Sequence, residues 1–218
     1  MTGVILAGGE NLRIPLLKGY LEINGTRIID SSIKLLEQFF NRVVIITNTP
    51  ESYFYCGVPI IGDIVGQRGP ATGILSALLS TEADKIFVVA CDMPFIKPEL
   101  IRYIVDKYKT ENTGHRIQNT EQRSPGSEFW APGSDKKWDA AISVFGERLQ
   151  PLLGIYSKNI IGTIERRLNK GLRSMKDMLA ELKVLYINEE EVREIDPEGR
   201  SFVNINTIED YEKVVSSQ

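Results

Sequence analysis

The chain reads as an α/β protein with a doubly wound, mainly parallel (mixed) sheet and helices on both faces, and three features predict this. Short apolar runs rich in Val and Ile alternate with longer stretches whose apolar residues recur at helical spacing. Two of the runs end in turns of small or stiff residues, Ala7-Gly8-Gly9 and Cys91-Asp92-Met93-Pro94. Strand–helix alternation lays successive strands parallel, and ligands of such sheets bind beyond the strands' carboxyl ends. Both turns therefore open on one edge.

In chain order, Gly3 to Ala7 is a first strand, too short for a helix. Leu21 to Gly25 is a short extended piece ending in an Asn-Gly turn. Ile28, Ile29, Ile33, Leu36, Phe39 and Phe40 mark a helix over Arg27 to Phe40. Arg42 to Thr47 and Val58 to Ile61 are strands, and Gly62 to Gly69 is a glycine-rich loop. Pro70 opens a helix towards Leu79, Lys85 to Ala90 is a strand, and Pro98 starts a helix to Tyr108. Asp139 to Val144 and Pro151 to Tyr156 are strands joined by a turn at Gly146. Helices over Ile160 to Leu168 and Met175 to Leu182, a strand over Val184 to Ile187 and a last helix from Thr207 to Val215 complete the pattern.

Lys109 to Lys137 interrupts this alternation, being polar, rich in Thr, Asn, Gln, Ser, Pro and Gly, and without periodicity. Stretches of that kind are uncommon inside compact domains and read as an insertion or a mobile loop. With 218 residues the expectation is one domain over 1–218 carrying that insertion at 109–137. A net charge of −3 offers no general attraction to nucleic acid, and no apolar run approaches a membrane span. The first residues run straight into Gly3-Val4-Ile5-Leu6, so no segment reads as a leader, and a cytoplasmic protein is expected. Two distant cysteines and one histidine argue against a disulfide, a structural zinc site and catalysis by a His–Cys or His–Ser pair.

The glycine turn after the first strand lets backbone N–H groups approach a ligand, and Arg13 and Lys18 follow it. N–H groups and fixed cations together cradle phosphate. The spacing is neither that of the P-loop nor that of the dinucleotide fingerprint. Asp92, just past Ile86-Phe-Val-Val-Ala90, is a hard oxygen ligand suited to Mg²⁺, with a turn or capping aspartate as the alternative. Glycines 66, 69 and 73 flank the helix start at Pro70, where a nucleoside can lie against bare backbone beside Asp63. Asn204 and Asn206, spaced by two, would share one face of a strand.

These segments resemble the molybdenum cofactor guanylyltransferases. Leu6, Ala7, Gly8, Gly9, Arg13 and Lys18 fall on that family's opening, roughly Leu-Ala-Gly-Gly-x-x-x-Arg-Met-Gly-x-Asp-Lys, with Ile14, Pro15 and Leu17 departing from it. Cys91-Asp-Met-Pro-Phe95 is similar to the family's metal-holding segment. Asp63 followed by Gly69-Pro-Ala-Thr-Gly-Ile74 is similar to its base- and ribose-binding region, with Ala71-Thr72 for Leu-Ala. Asn48 stands near a family asparagine that contacts nucleotide, and Phe202-Val-Asn-Ile-Asn-Thr207 matches a C-terminal motif beside the pterin or the metal. Gln150-Pro-Leu-Leu-Gly154 and Gly171-Leu-Arg173 are further landmarks.

The resemblance implies a Rossmann-like nucleotidyltransferase fold and transfer of GMP from GTP to molybdopterin or Mo-molybdopterin, with Mg²⁺ on Asp92. It implies catalytic roles for Arg13, Lys18 and Asp92, and nucleotide or substrate contacts from Leu6, Ala7, Gly8, Gly9, Lys18, Asn48, Asp63, Asp92, Asn204 and Asn206. It further implies a monomer or weak homo-oligomer in transient contact with proteins that deliver the cofactor or mature molybdoenzymes. Sister activities stay open: molybdopterin cytidylyl transfer, and cobinamide-phosphate or sugar-phosphate nucleotidyl transfer. So does a degenerate GTP-binding protein without catalysis, which Pro15 and Leu17 favour. Leu-Ala-Gly-Gly and Asp-Met-Pro favour guanine over cytosine, whose enzymes commonly read Leu-Ala-Ala-Gly and Asp-Gln-Pro.

Overall fold

The computed structural model describes residues 1–8, 17–64, 69–113 and 138–216. Its strands are β1 (Thr2–Leu6), β2 (Glu22–Ile23), β3 (Thr26–Arg27), β4 (Val43–Ile46), β5 (Ile60–Ile61), β6 (Lys85–Ala90), β7 (Ala140–Phe145), β8 (Arg148–Ser157) and β9 (Val184–Ile187). Its helices are α1 (Ile28–Glu37), α2 (Pro70–Ser80), α3 (Pro98–Thr113), α4 (Ile161–Asn169), α5 (Met175–Ala180), α6 (Glu189–Ile195) and α7 (Ile208–Ser216). Seven strands form one sheet in the order β5-β4-β1-β6-β8-β7-β9. Every neighbouring pair is parallel except β6–β8 and β8–β7, so β8 alone runs against the rest. The mixed, mainly parallel sheet is the expected one.

Side-chain alternation explains why the strands are apolar throughout. Ile5, Ile45, Phe87 and Val89 point to the face covered by α1 and α3, while Val4, Val44, Ile86 and Val88 point to the face covered by α2 and α4. Burying each such side chain contributes about 1.5–3 kcal/mol. Gly154 sits where β8 and β7 leave no room for a side chain: a Cβ there would lie 2.4 Å from the Ala141 carbonyl oxygen. A small third cluster (Leu21, Ile28, Ile205 and Val214) packs α7 and the segment before it against the N-terminal hairpin β2–β3. Asn24 and Gly25, both at positive φ, turn that hairpin as the Asn-Gly pair predicts.

Two expectations are corrected, and one helix is added. Helix α3 does not stop at Tyr108 but continues through Thr113, taking up the start of the expected insertion. Asn112 explains the extension, its amide donating to the Tyr108 carbonyl (2.8 Å) and its side-chain oxygen accepting from Trp138 N–H (2.9 Å). The added helix is α6, opened by the acidic run after β9, where Asn188 and Glu191 form a reciprocal capping box. Residues 203–206 form no strand, and instead follow a tight 3-10 turn over Arg200–Phe202.

Candidate active site

The carboxyl edge of the parallel strands carries two polar clusters, and the first is built at the end of β6. Cys91 N–H donates to the Leu6 carbonyl (3.0 Å), so the chain leaves β6 in register with β1 before turning at Met93. Asp92 then faces Lys18, whose Nζ lies 2.9 Å from Asp92 Oδ2 and 2.7 Å from Asn206 Oδ1. The three come from distant parts of the chain. Ile205 closes the arrangement: it is fully buried, and its N–H donates to the Asp92 carbonyl (3.0 Å). Asp210 secures the next residues by accepting from Asn206 N–H (3.0 Å) and Thr207 N–H (2.9 Å) at the start of α7. The Cys91 thiol is pushed up to about 12 by burial, with the Asp92 charge adding to it, so it supplies no thiolate at neutral pH.

The second cluster lies past β4 and β5. Gly8 is exposed beside Asn48, whose amide would stand 3.7 Å from a Cβ placed on the glycine. Burial raises the Asp63 carboxyl above its ordinary range, and hydrogen bonds from Asn48 and Ser76 offset part of that. Oδ1 of Asp63 is nevertheless buried without a partner among the described residues. Ser76 also accepts from Ile64 N–H (3.1 Å), which fixes the loop against α2. One turn nearer the N-terminus of α2, Thr72 is fully buried and its hydroxyl likewise lacks a partner.

Lys18, Asp92 and Asn206 thus meet at one end, and Gly8, Asn48 and Asp63 gather at the other. Leu6 is buried, and Ala7 is tied through its N–H to Ile46 (2.8 Å) and through its carbonyl to Thr47 Oγ1 (3.2 Å). Those two residues therefore hold the edge in shape, and Gly8 is the first exposed residue of the turn. The Asn204 amide folds back onto the Phe202 carbonyl (3.1 Å), so the two asparagines do not act as one strand face. Gly9, Arg13 and Pro15 lie outside the described residues, as do Arg68 and His115. Leu17, which replaces the family aspartate, packs partly buried against the core together with Tyr20. Sequence reasoning missed Ser76 and Asp210. Only the second had a signal, the Thr-x-x-Asp spacing of a helix cap at Thr207.

Comparison with known proteins identifies the family. Residues 3–185 match the family described as MobA-like NTP transferase domain. A probable molybdenum cofactor guanylyltransferase of Peptoclostridium acidaminophilum is 32% identical over 209 residues, covering 96% of this chain and 86% of the relative. The molybdenum cofactor guanylyltransferase of Syntrophotalea carbinolica is 29% identical over 212 residues, covering 97% and 89%. The crystal structure of molybdopterin-guanine dinucleotide biosynthesis protein A from Archaeoglobus fulgidus superposes with a TM-score of 0.76 at 25% identity, covering 100% of this chain and 98% of that one. With its sheet order, its two clusters on one edge and full-length relatives of one kind, the chain belongs to the MobA-like nucleotidyltransferase family.

Proposed function

We propose that this protein transfers GMP from GTP to molybdopterin or Mo-molybdopterin, releasing pyrophosphate and giving the guanine dinucleotide form of the molybdenum cofactor. The observation that carries this reading is the meeting of Lys18, Asp92 and Asn206 at the end of β6, on the edge that also presents Gly8, Asn48 and Asp63. Relatives covering nearly the whole chain bear the same activity in their names.

The residues fit a divalent cation. Asp92 Oδ2 and Asn206 Oδ1 already converge on one positive charge, the Lys18 ammonium. One carboxylate with phosphate oxygens and water is the usual donor set of Mg²⁺. In this reading Asp92, with Asn206 beside it, holds Mg²⁺, which when bound neutralises triphosphate oxygens. Lys18 leaves the carboxylate for phosphate oxygens and, with Gly8, Gly9 and Arg13, holds the pyrophosphate as charge builds on it. Asn48 and Asp63 take the base and ribose, with Leu6 and Ala7 shaping the floor beneath them. Asn204 and Asn206 border the acceptor. The attacking group is an acceptor phosphate already ionised at neutral pH, so no side chain is needed to remove its proton. What the protein supplies is alignment and charge neutralisation.

The same proposal covers the setting of the reaction. It takes 1–218 as one domain, monomeric or weakly self-associating, in transient contact with proteins that deliver or receive the cofactor. It also takes the protein as cytoplasmic, with no nucleic-acid partner and no membrane. Among the described residues no helix is long and apolar enough to cross one. Calorimetry with GTP and Mg²⁺, followed by pyrophosphate release with molybdopterin as acceptor, tests the reading. Release only with a sugar phosphate or cobinamide phosphate, or only from CTP, would assign a sister reaction. Tight GTP binding without pyrophosphate release under any acceptor would leave a nucleotide-binding protein without catalysis.

A further inference from the structure

Asp196 is a fully buried carboxylate far from the cleft in sequence, and the proposed reaction gives it no chemical task. Its Oδ2 accepts from Ser201 N–H (2.7 Å), and Lys97 Nζ lies 3.3 Å from its Oδ1. Lys97 is bound twice more to the same segment. Its N–H donates to Ser201 Oγ (3.0 Å), and its ammonium donates to the Ile195 carbonyl (3.2 Å). Burial alone would raise the Asp196 carboxyl, but Ser201 and Lys97 outweigh it and hold the group ionised below the usual range.

The neighbours of this ion pair show what it fastens. Lys97 immediately precedes α3 and follows the Asp92 turn by a few residues. Ser201 sits in the 3-10 turn that leads to Ile205 and Asn206. Phe202 stacks on Phe145 at 5.1 Å, Arg200 lies over the Phe95 ring at 4.8 Å, and Gly199 at positive φ leaves no room beside Phe145 for a Cβ. Segment 92–98 and segment 196–206 are thus joined around Lys97, by the ion pair, the Lys97 N–H bond to Ser201 and Arg200 over Phe95, and again at the Ile205–Asp92 backbone bond, with Asn206 one residue beyond the last.

We infer that Asp196 is a positioning residue for the transfer: with Lys97 and Ser201 it clamps the loop that brings Asn206 to Lys18 and Asp92. Asp196 is fully buried while the Lys97 side chain is 36% exposed, so removing Lys97 would strand a buried charge, whereas Asp196→Asn loosens the clamp through the charge-assisted bonds that Ser201 N–H and Lys97 lose. The inference rests on the guanylyl-transfer reading for its kinetic readout alone.

The test is a double-mutant cycle with Asp196→Asn, Asn206→Ala and the pair together, read by pyrophosphate release and by NMR of the Asn206 side-chain amide. Asp196→Asn should lower kcat about tenfold or more through misplacement. The KM for GTP should stay within about twofold, because the base end of the cleft is untouched. In the Asn206→Ala background the same change should cost less than about twofold, since its route to the chemistry is already removed. The Asn206 amide signal should move in Asp196→Asn while backbone signals of β1 and β4 stay in place. If Asp196→Asn fails to fold, Ser201→Ala keeps the carboxylate and the lysine, removes the Lys97 N–H acceptor, and should move the same signal. Full multiplication of the two kcat losses, or an unmoved Asn206 signal, would overturn the clamp. A wild-type protein without GMP transfer would defeat the functional reading instead, and the NMR arm would still decide this one.

Discussion

Asp92 and Asp63 both follow the carboxyl end of a strand, yet Asp92 rests on a lysine ammonium 2.9 Å away, whereas Asp63 is half-buried with Oδ1 buried and unpartnered among the described residues. The first is a closed knot, in which Lys18, Asp92 and Asn206 satisfy one another, and a ligand must break bonds to enter it. The second is an open debt in hydrogen bonds, which a ligand bearing N–H groups would settle. Guanine presents two adjacent donors, N1–H and its 2-amino group, where cytosine presents its 4-amino group alone. On the proposed reading the two ends divide the work. Binding strength should come from the Asp63 end, and rate from the Asp92 end, where fixed charges are rearranged around the reacting phosphate.

The sharpest way to break this contrast is Asp92→Asn, which keeps the shape and removes the charge. Turnover should fall roughly 10²–10³-fold, the scale of lost electrostatic groups at reacting centres. GTP affinity measured without divalent cation should hardly change, and stabilisation by GTP plus Mg²⁺ should shrink. Near-wild-type turnover at low millimolar Mg²⁺ would show that Asp92 is not the metal-holding residue.

Asp63→Asn should behave in the opposite sense. GTP affinity should drop about tenfold or more, about 1.4 kcal/mol, with a smaller effect on the rate at saturation. Apo stability should rise, and the pH dependence of that gain has a fixed sign. A carboxyl whose folded pKa lies above its unfolded value near 3.8 opposes folding progressively as pH climbs through that value towards the folded one. The variant's advantage should thus be absent at pH 3 and fully present at neutral pH, read by urea unfolding at several pH values. A variant less stable than wild type at neutral pH would mean that Asp63 is held by its neighbours rather than waiting for a ligand.

Base choice gives a smaller but cleaner reading of the same end. GTP with Mg²⁺ should bind at least about tenfold more tightly than CTP or ATP, and Asp63→Asn should narrow that preference. Equal binding of CTP to the wild type would move the assignment to a sister enzyme.

How much of this was visible in the sequence follows from what each residue depends on. Asp92, Gly8 and Asn48 were legible because a strand's end fixes where they emerge, and strand ends are written locally in runs such as Lys85–Ala90. Asp63 was legible by its glycine-rich surroundings, but its burial was not, since that needs Ser76 and Asn48 to close around it. The approach of Asn206 to Lys18 depends on a non-local cluster of Leu21, Ile28, Ile205 and Val214, which no periodicity announces. The expected strand at 203–206 failed for a related reason. That segment spends a backbone N–H on the Asp92 carbonyl, and its upstream turn is pinned through Ser201 to Asp196, so no ladder forms. The Asp196–Lys97 pair spans most of the molecule's second half and leaves no local trace.

The smallest expected effect belongs to the expected insertion, whose first residues, 109–113, the structure places in α3. Residues 109–113 are the last turn of α3, whereas 114–137 lie outside the described residues. The two flanks meet: Trp138 N–H donates to Asn112 Oδ1 (2.9 Å), and the Tyr108 hydroxyl donates to the Trp138 carbonyl (2.8 Å). A short Gly-Ser linker in place of 114–137 therefore has little distance to span, and the closure entropy of a short loop differs only modestly from that of a long one. Stability should change by less than about 0.5 kcal/mol, and GTP affinity should stay as it is. Removing 109–137 instead takes away Asn112, strands the Trp138 N–H and should cost about 1–3 kcal/mol more, so the pair of deletions locates the true boundary. Thermal melting and calorimetry read both. A large loss of turnover in the shorter deletion, with folding and GTP binding intact, would overturn the idea of a passive insertion and make 114–137 part of how the cleft closes during transfer.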